Sequence, residues 1–364
     1  MFSMEKNQIG IIAVLLCTFT EAISLGQEKL YLDAGKGQTP FDVTIHAVPI
    51  EEIGNGGPPR DGIPALNNPK FVSSSDGDRF LKKHDRVLAI EYNGVAKAYP
   101  IRILNWHEVV NDDFNGRPVI VTWCPLCLSG IVYDPENGGN RLSFGVSGKI
   151  YKSNLLMYDH ETGSLWSQLL QRAITGPLTG TVLAMLPAEH STWEHWRSQH
   201  PNTLVLSMDT GFKRDYGLDP YREYVEEGRP TFRSSQDTKT SKNKLRPMEP
   251  VLGVDLGDAQ KAYPFSLLKK KPSEFEDRVG NVNLLIHFDK DSKTAYVTGQ
   301  SGEILPSTMV YWFAWQDFFP QTRVLENNRW PGWRGRPVCL FFRHLPRMPI
   351  SSTSSRNFLA CIAH

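Results

Sequence analysis

The chain repeats itself, and the repeat limits what it can fold into. Val87 to Pro100 reads VLAIEYNGVAKAYP, and 164 residues further on Val251 to Pro264 reads VLGVDLGDAQKAYP. Each is an alternating run, a turn around Gly94 or Gly257-Asp258, and a return run, the pattern of a β-hairpin. Two further matches follow in the same order. Asn154-Leu-Leu with Tyr158-Asp159 matches Asn283-Leu-Leu with Phe288-Asp289, and Trp193-Glu-His-Trp196 with Pro201 and Thr203 matches Trp312-Phe-Ala-Trp315 with Pro320 and Thr322. Three matches in one order predict internal duplication. The expected fold is therefore α+β and strand-rich, with two unequal copies of one β-rich unit and short packing helices. The first copy covers 41–227, a polar, Pro-flanked linker covers 228–250, and a shortened second copy covers 251–326. The second copy lacks the interval that holds NWHEVVND and CPLC in the first.

Within this frame Pro118 to Trp123, Ile131 to Tyr133, Arg141 to Phe144 and Leu155 to Tyr158 read as strands. Ile101 to Asn111 and Ser191 to His200 read as short helices. The stretch 327–364 has six arginines, no lysine and no acidic residue. It reads as an atypical tail, so no site is built on its Cys339 and Cys361.

With 364 residues, 40% of them hydrophobic, the chain can bury a large core. A net charge of +1 gives no electrostatic reason to expect nucleic acid as a partner. Ile9 to Phe19 is an apolar run of signal-peptide length behind Lys6, with small residues at Ala22 and Ser24. Residues 1–24 are expected to be a signal peptide and the mature protein to be secreted or periplasmic, with no membrane span after signal removal.

The chemistry concentrates in Val119-Ile-Val-Thr-Trp-Cys-Pro-Leu-Cys127. A strand here brings Cys124 to a sheet end, where functional groups gather. A Cys-x-x-Cys spacing turns both sulfurs to one point, which suits a metal ion, a disulfide or a redox pair. With no second such pair, a mixed site needs histidine or carboxylate, and His107 and Glu108 in NWHEVVND are the nearest. Two thiolates and an imidazole favour copper or zinc by ligand softness. A satisfied histidine beside Trp106 is the bland reading of His107. A thioredoxin-like arrangement would need a helix after the second cysteine, where Ile131 to Tyr133 reads as a strand.

A second polar cluster runs from Asp159 to Gln168. Asp159 and Thr162 most simply form a turn; Asp159 could instead supply an acid, base or ligand group, and Trp166 and Gln168 could line a cleft or pack. Arg214-Asp215-Tyr216 and Asp219-Pro220-Tyr221 are adequately explained by an ion pair and a turn.

The motifs LNWHEVVND, VTWCPLC, the SGKIYKSNLLMYD run, TGSLWSQ and RDYGLDPY resemble those of the domain of unknown function 3179 family, over about Asp61 to Leu325. That family is found mostly in bacterial proteins with export signals and implies no established reaction. The resemblance implies that Cys124, Cys127, His107, Asp159, Trp166 and Gln168 lie in its defining motifs. Leu128 departs from the pattern, which often has a small or polar residue after the second cysteine.

The sequence thus predicts a soft-metal site for redox or metal handling, with Cys124, Cys127 and His107 as ligands. Glu108, Asp159, Trp166 and Gln168 would stand behind those ligands or line a cleft beside them. The alternatives are an extracellular binding module stapled by a Cys124–Cys127 disulfide and floored by Trp106, Trp123, Trp166 and Tyr221, and a thiol oxidoreductase with an accessible, low-pKa Cys124.

Overall fold

The Lys-Ala-Tyr-Pro hairpins form as expected. In a computed structural model describing residues 28–230 and 245–326, Arg86–Tyr92 pairs antiparallel with Val95–Pro100, and Pro250–Asp255 with Gln260–Pro264. Each is the centre of a larger sheet. The first sheet adds Glu189–Thr192 on one side and Leu204–Leu206 and Phe71–Val72 on the other; the second adds Thr308–Tyr311 and Arg323–Val324. In both, the strand beyond the hairpin runs parallel to its neighbour, because a helix (Trp193–Gln199 or Trp312–Phe318) carries the chain back across the sheet.

These are blades 1 and 4 of five. Blade 2 holds Val109–Phe114, Arg117–Cys124 and Ser129–Asp134, edged by Ala184–Leu186 and Leu66–Asn67. Blade 3 holds Phe144–Tyr151, Asn154–Asp159, Leu165–Ser167 and Arg172–Ala173, edged by Ile53–Asn55. Blade 5 holds Glu274–Val279, Val282–Asp289, Thr294–Thr298 and Ile304–Leu305. The arrangement is a five-bladed β-propeller, and it corrects the expectation of two copies of one unit. The hairpin and helix matches build blades 1 and 4, and the Asn-Leu-Leu match falls on Asn154–Asp159 of blade 3 and Val282–Asp289 of blade 5. Between hairpin and closing helix the chain inserts two blades the first time and one blade the next, which accounts for the shorter interval in the C-terminal repeat. The strand-rich character stands.

Propeller packing covers both faces of most strands. Arg117–Cys124 is buried from Pro118 onward, so it reads as a continuous apolar run. Blades 1 and 2 share a core of Leu88, Tyr99, Val110, Val121 and Trp123, among others.

Two helical expectations also change. The helix expected over Ile101 to Asn111 stops at Leu104, and Val109–Phe114 is a strand. Glu108 takes φ 57°, a left-handed conformation that no helix accommodates, and β-branched Val109 and Val110 favour the extended chain that follows. The helix expected over Ser191 to His200 begins at Trp193, where Thr192 Oγ1 accepts from His195 N (3.4 Å). The expected signal segment, 231–244 of the expected linker, the tail, and Cys17, Cys339 and Cys361 lie outside the described residues. Among the described residues no helix is long and apolar enough to cross a membrane.

Candidate functional site

Cys124 ends one strand of blade 2 and pairs in register with Ser129, which starts the next. Pro125 to Leu128 is the hairpin connection, and Leu128 closes it with φ 59°. Cys127 N donates to Cys124 O (3.2 Å), folding the second thiol back beside the first. Both are free and buried. The Cys127 thiol donates to Ser153 O at 3.1 Å and lies within hydrogen-bonding reach of Cys124 Sγ.

The two sulfurs have opposite electrostatics. Burial disfavours a Cys124 thiolate, but the Cys127 thiol and the backbone N–H groups of Leu155, Cys127 and Leu126 outweigh it, holding the Cys124 thiol below its ordinary range. Burial, and then the neighbouring Cys124, push the Cys127 thiol well up. The two thiols are therefore inequivalent, Cys124 the more acidic and Cys127 the less.

Glu108 reaches the same place from the preceding turn. Its left-handed backbone lets Glu108 O accept from Trp123 N (2.7 Å), anchoring the turn beside the strand that ends in Cys124. Burial first, and then the Cys124 charge, raise the Glu108 carboxyl to about 8, against the opposing bond from the Tyr221 hydroxyl to Oε1 (3.0 Å). A cavity of about 250 Å³ opens on Glu108, Cys124, Tyr221 and Tyr224, with Lys149 and Leu155 of blade 3 across from them.

One strap seals this side of the site. Asn105 Nδ2 donates to Asp219 Oδ1 (2.9 Å) and Trp106 Nε1 to Leu218 O (3.2 Å); His107 Nε2 bonds Tyr216 OH (2.7 Å), and Glu108 receives Tyr221. Four consecutive residues of NWHE are thus tied to residues 216–221. The RDYGLDPY segment makes its expected turns, with Gly217 N on Asp215 Oδ1 and Tyr221 N on Asp219 Oδ1, and is also this strap. Tyr224 extends it, donating to Leu126 O of the cysteine loop (2.8 Å).

The structure therefore brings Cys124, Cys127 and Glu108 together. His107 is engaged elsewhere: its Nδ1 bonds Pro64 O (2.8 Å) and its Nε2 the strap tyrosine. Among the described residues no group of three His, Cys, Asp or Glu side chains could hold a metal ion. Cys124, Cys127 and Glu108 are not placed to share one ion, so they do not fit the four-coordinate sites that zinc prefers. Asp159 makes the turn, accepting from Thr162 N (2.6 Å), and also from Trp166 Nε1 (2.7 Å), which locks that indole into the core. Gln168 lies behind the thiols with all of its amide bonds used. Oε1 accepts from Ser129 Oγ and Asn154 Nδ2; Nε2 donates to Thr122 Oγ1 and Ser129 O. Sequence reasoning does not reach Lys149 and Tyr224, though Lys149 stands in the SGKIYKSNLLMYD run.

A family model described as a protein of unknown function, DUF3179, matches residues 60–322. The chain belongs to the DUF3179 family. The match takes in the whole cavity wall except Gly56 and Pro58, so the cysteine hairpin, the NWHE turn and the strap are all part of the DUF3179 domain. No curated protein and no solved structure matches the chain.

Proposed function

We propose that this DUF3179 protein is a thiol oxidoreductase whose working dithiol is Cys124 and Cys127. The observation that carries the reading is the pairing itself. Two free, neighbouring thiols sit at a strand end, the backbone N–H groups of Leu155, Cys127 and Leu126 favour the Cys124 thiolate, and Cys124 lines a cavity. A thiolate so held is the attacking group in disulfide exchange.

The chemistry balances with these residues. Cys124 thiolate attacks one sulfur of a substrate disulfide; a mixed disulfide forms, and the other substrate sulfur leaves as a thiolate. Glu108, neutral at pH 7, is placed to give that thiolate its proton. Cys127 then attacks Cys124 Sγ as its proton passes to the departing substrate sulfur, releasing the second substrate thiol and leaving a Cys124–Cys127 disulfide. The substrate gains two electrons and the dithiol loses two.

This differs from thioredoxin in architecture, since the second cysteine leads into the strand Ser129–Asp134 and not into a helix. Copper or zinc held by both thiolates and His107 is less favoured, because both ring nitrogens of His107 are already bonded. A secreted or periplasmic location, as the N-terminal sequence leads us to expect, is part of the proposal.

The test is peptide mapping by mass spectrometry after exposure of the reduced protein to a small disulfide. Wild type should form the Cys124–Cys127 disulfide, Cys127→Ser should accumulate a mixed disulfide on Cys124, and Cys124→Ser should not react at Cys127. Wild type with both thiols intact after exposure would overturn the reading.

A further inference from the structure

The cavity in front of Cys124 contains one cation. Its wall is otherwise apolar or uncharged (Pro58, Ile63, Leu126, Val146, Ile150, Leu155 and the two strap tyrosines among others), apart from Glu108 and the thiol. The cation is Lys149, and the chain goes to some length to put it there. The strand Phe144–Tyr151 breaks register between Val146 and Lys149, and Gly148 takes φ 73°. A Cβ at Gly148 would stand 2.1 Å from Pro58 O, so only glycine fits the bulge. Ser147 Oγ then accepts from Lys149 N (3.0 Å), fixing the residue after the bulge.

A buried ammonium normally has a carboxylate beside it. Lys149 is only 8% exposed, yet its Nζ bonds a neutral group, the Asn55 amide oxygen. Asp33 is the carboxylate whose field reaches it, and among the described residues the two make no salt bridge. An ammonium has three donors and one is used on Asn55, so Lys149, in the cavity wall, keeps donors for a ligand. Contrast Lys97, whose more deeply buried ammonium is held by both oxygens of Asp112. The one is a structural ion pair; the other is a cation supplied to a pocket.

We propose that Lys149 is an anion anchor, and that the site takes small disulfides bearing a carboxylate, with the carboxylate on Lys149 and the reacting sulfur at Cys124. The substrate class rests on the oxidoreductase reading above. The size of the cavity supports it: at ~30 Å³ per water-sized group, 250 Å³ admits on the order of eight such groups, which suits half of a low-molecular-weight disulfide. Burial pushes the Lys149 ammonium below its ordinary range, against the pull of Asp33. An arriving carboxylate would reverse that shift.

The test separates the anchor from the redox chemistry. The full-length reduced protein is labelled with iodoacetate or iodoacetamide, in which Cys124 sulfur displaces iodide and only the first reagent carries a carboxylate. Labelling at Cys124 is followed by peptide mapping. Relative to free cysteine, iodoacetate should be favoured over iodoacetamide by roughly tenfold, as a charge-assisted hydrogen bond supplies. Lys149→Met should abolish the preference and Lys149→Arg retain most of it. Added acetate should slow iodoacetamide labelling of wild type, which tests the anchor even if the variants fail to fold. A preference unchanged in Lys149→Met, or no effect of acetate on wild type, overturns the anchor. Oxidation by a dicarboxylate disulfide and by the neutral hydroxyethyl disulfide is then compared. Oxidation by both at rates independent of Lys149 overturns the substrate class while leaving the oxidoreductase reading intact. Oxidation by neither, with the labelling preference present, overturns the disulfide chemistry and leaves the anchor.

Discussion

Lys97 Nζ stands 2.9 Å from both carboxylate oxygens of Asp112, across the seam between blades 1 and 2. Tyr99 OH donates to the same carboxylate (2.5 Å), and the ammonium sits over the rings of Phe71 and Phe114 at 4.2 and 4.3 Å. Blade 4 repeats the pair toward blade 5, with Lys261 Nζ 2.8 Å from Asp277 Oδ1. The Lys and Tyr of the repeated Lys-Ala-Tyr-Pro motif therefore point at the next blade. Asp112→Ala leaves Lys97 buried without its counter-charge and is expected to destabilise the protein by about 3–5 kcal/mol in denaturant titrations. Adding Lys97→Met should recover much of that loss. If Asp112→Ala unfolds at the wild-type midpoint, the seam pair is not holding the blades.

Blade 4 fits its helix through a missing methyl group. A Cβ on Gly253 would lie 2.3 Å from the Trp315 ring, and Trp315 is itself pinned by its Nε1 bond to Thr322 Oγ1 (2.9 Å). The ring cannot move freely, so Gly253→Ala should cost about 1–3 kcal/mol by overpacking, seen as a lower thermal midpoint. The matched position in blade 1 is Ala89, so the reverse change there, Ala89→Gly, should not reproduce a clash and should cost less.

Glu108 gives the protein a characteristic dependence on pH. Its carboxyl is raised to about 8 in the fold against 4.5 ordinarily. Between those values the folded chain keeps a proton that the unfolded chain has released. Stability from this group therefore falls as pH rises from about 4.5 to about 8, by about 1.4 kcal/mol per pH unit at most, and then levels off. Glu108→Gln has no such proton. The stability of wild type minus that of the variant should decline with pH through this window. A flat difference would mean that Glu108 titrates normally and is no proton donor beside Cys124.

The strap should tune that same group. The Tyr221 hydroxyl bonds Glu108 Oε1 and opposes the rise in its pKa. Tyr221→Phe is expected to move the Glu108 midpoint upward, read from the carboxyl stretch of the protonated acid by infrared difference spectroscopy on titration. A midpoint that falls or stays put would contradict the bond's direction.

How much of this the sequence could reveal depended on the range of the interaction. The hairpins at Arg86–Pro100 and Pro250–Pro264 were legible because alternation and turn residues are local. The cysteine loop was legible as a strand end for the same reason. The five-bladed arrangement was not, since nothing local tells a repeated blade from a repeated domain, and the match between Asn154–Asp159 and Val282–Asp289 reads equally as part of a repeated domain or as two blades. Site residues divided in the same way. Cys124, Cys127 and Glu108 are close in sequence or in one motif with the turn that presents them. Lys149 comes from another blade, and its importance depends on a missing counter-charge, which no spacing rule detects. His107 was drawn toward the cysteines by softness and proximity in sequence, whereas Pro64 and Tyr216, distant along the chain, occupy its ring nitrogens.

The strap that ties residues 216–221 to Asn105–Glu108 also sets an order of events. The hairpins of blade 2 need only their own neighbours and form from contacts a few residues apart, whereas the strap lies more than a hundred residues downstream. During synthesis the two thiols are therefore paired in space well before Tyr221 and Tyr224 arrive to cover them. For that interval the hairpin presents its dithiol without the cover that the strap later provides.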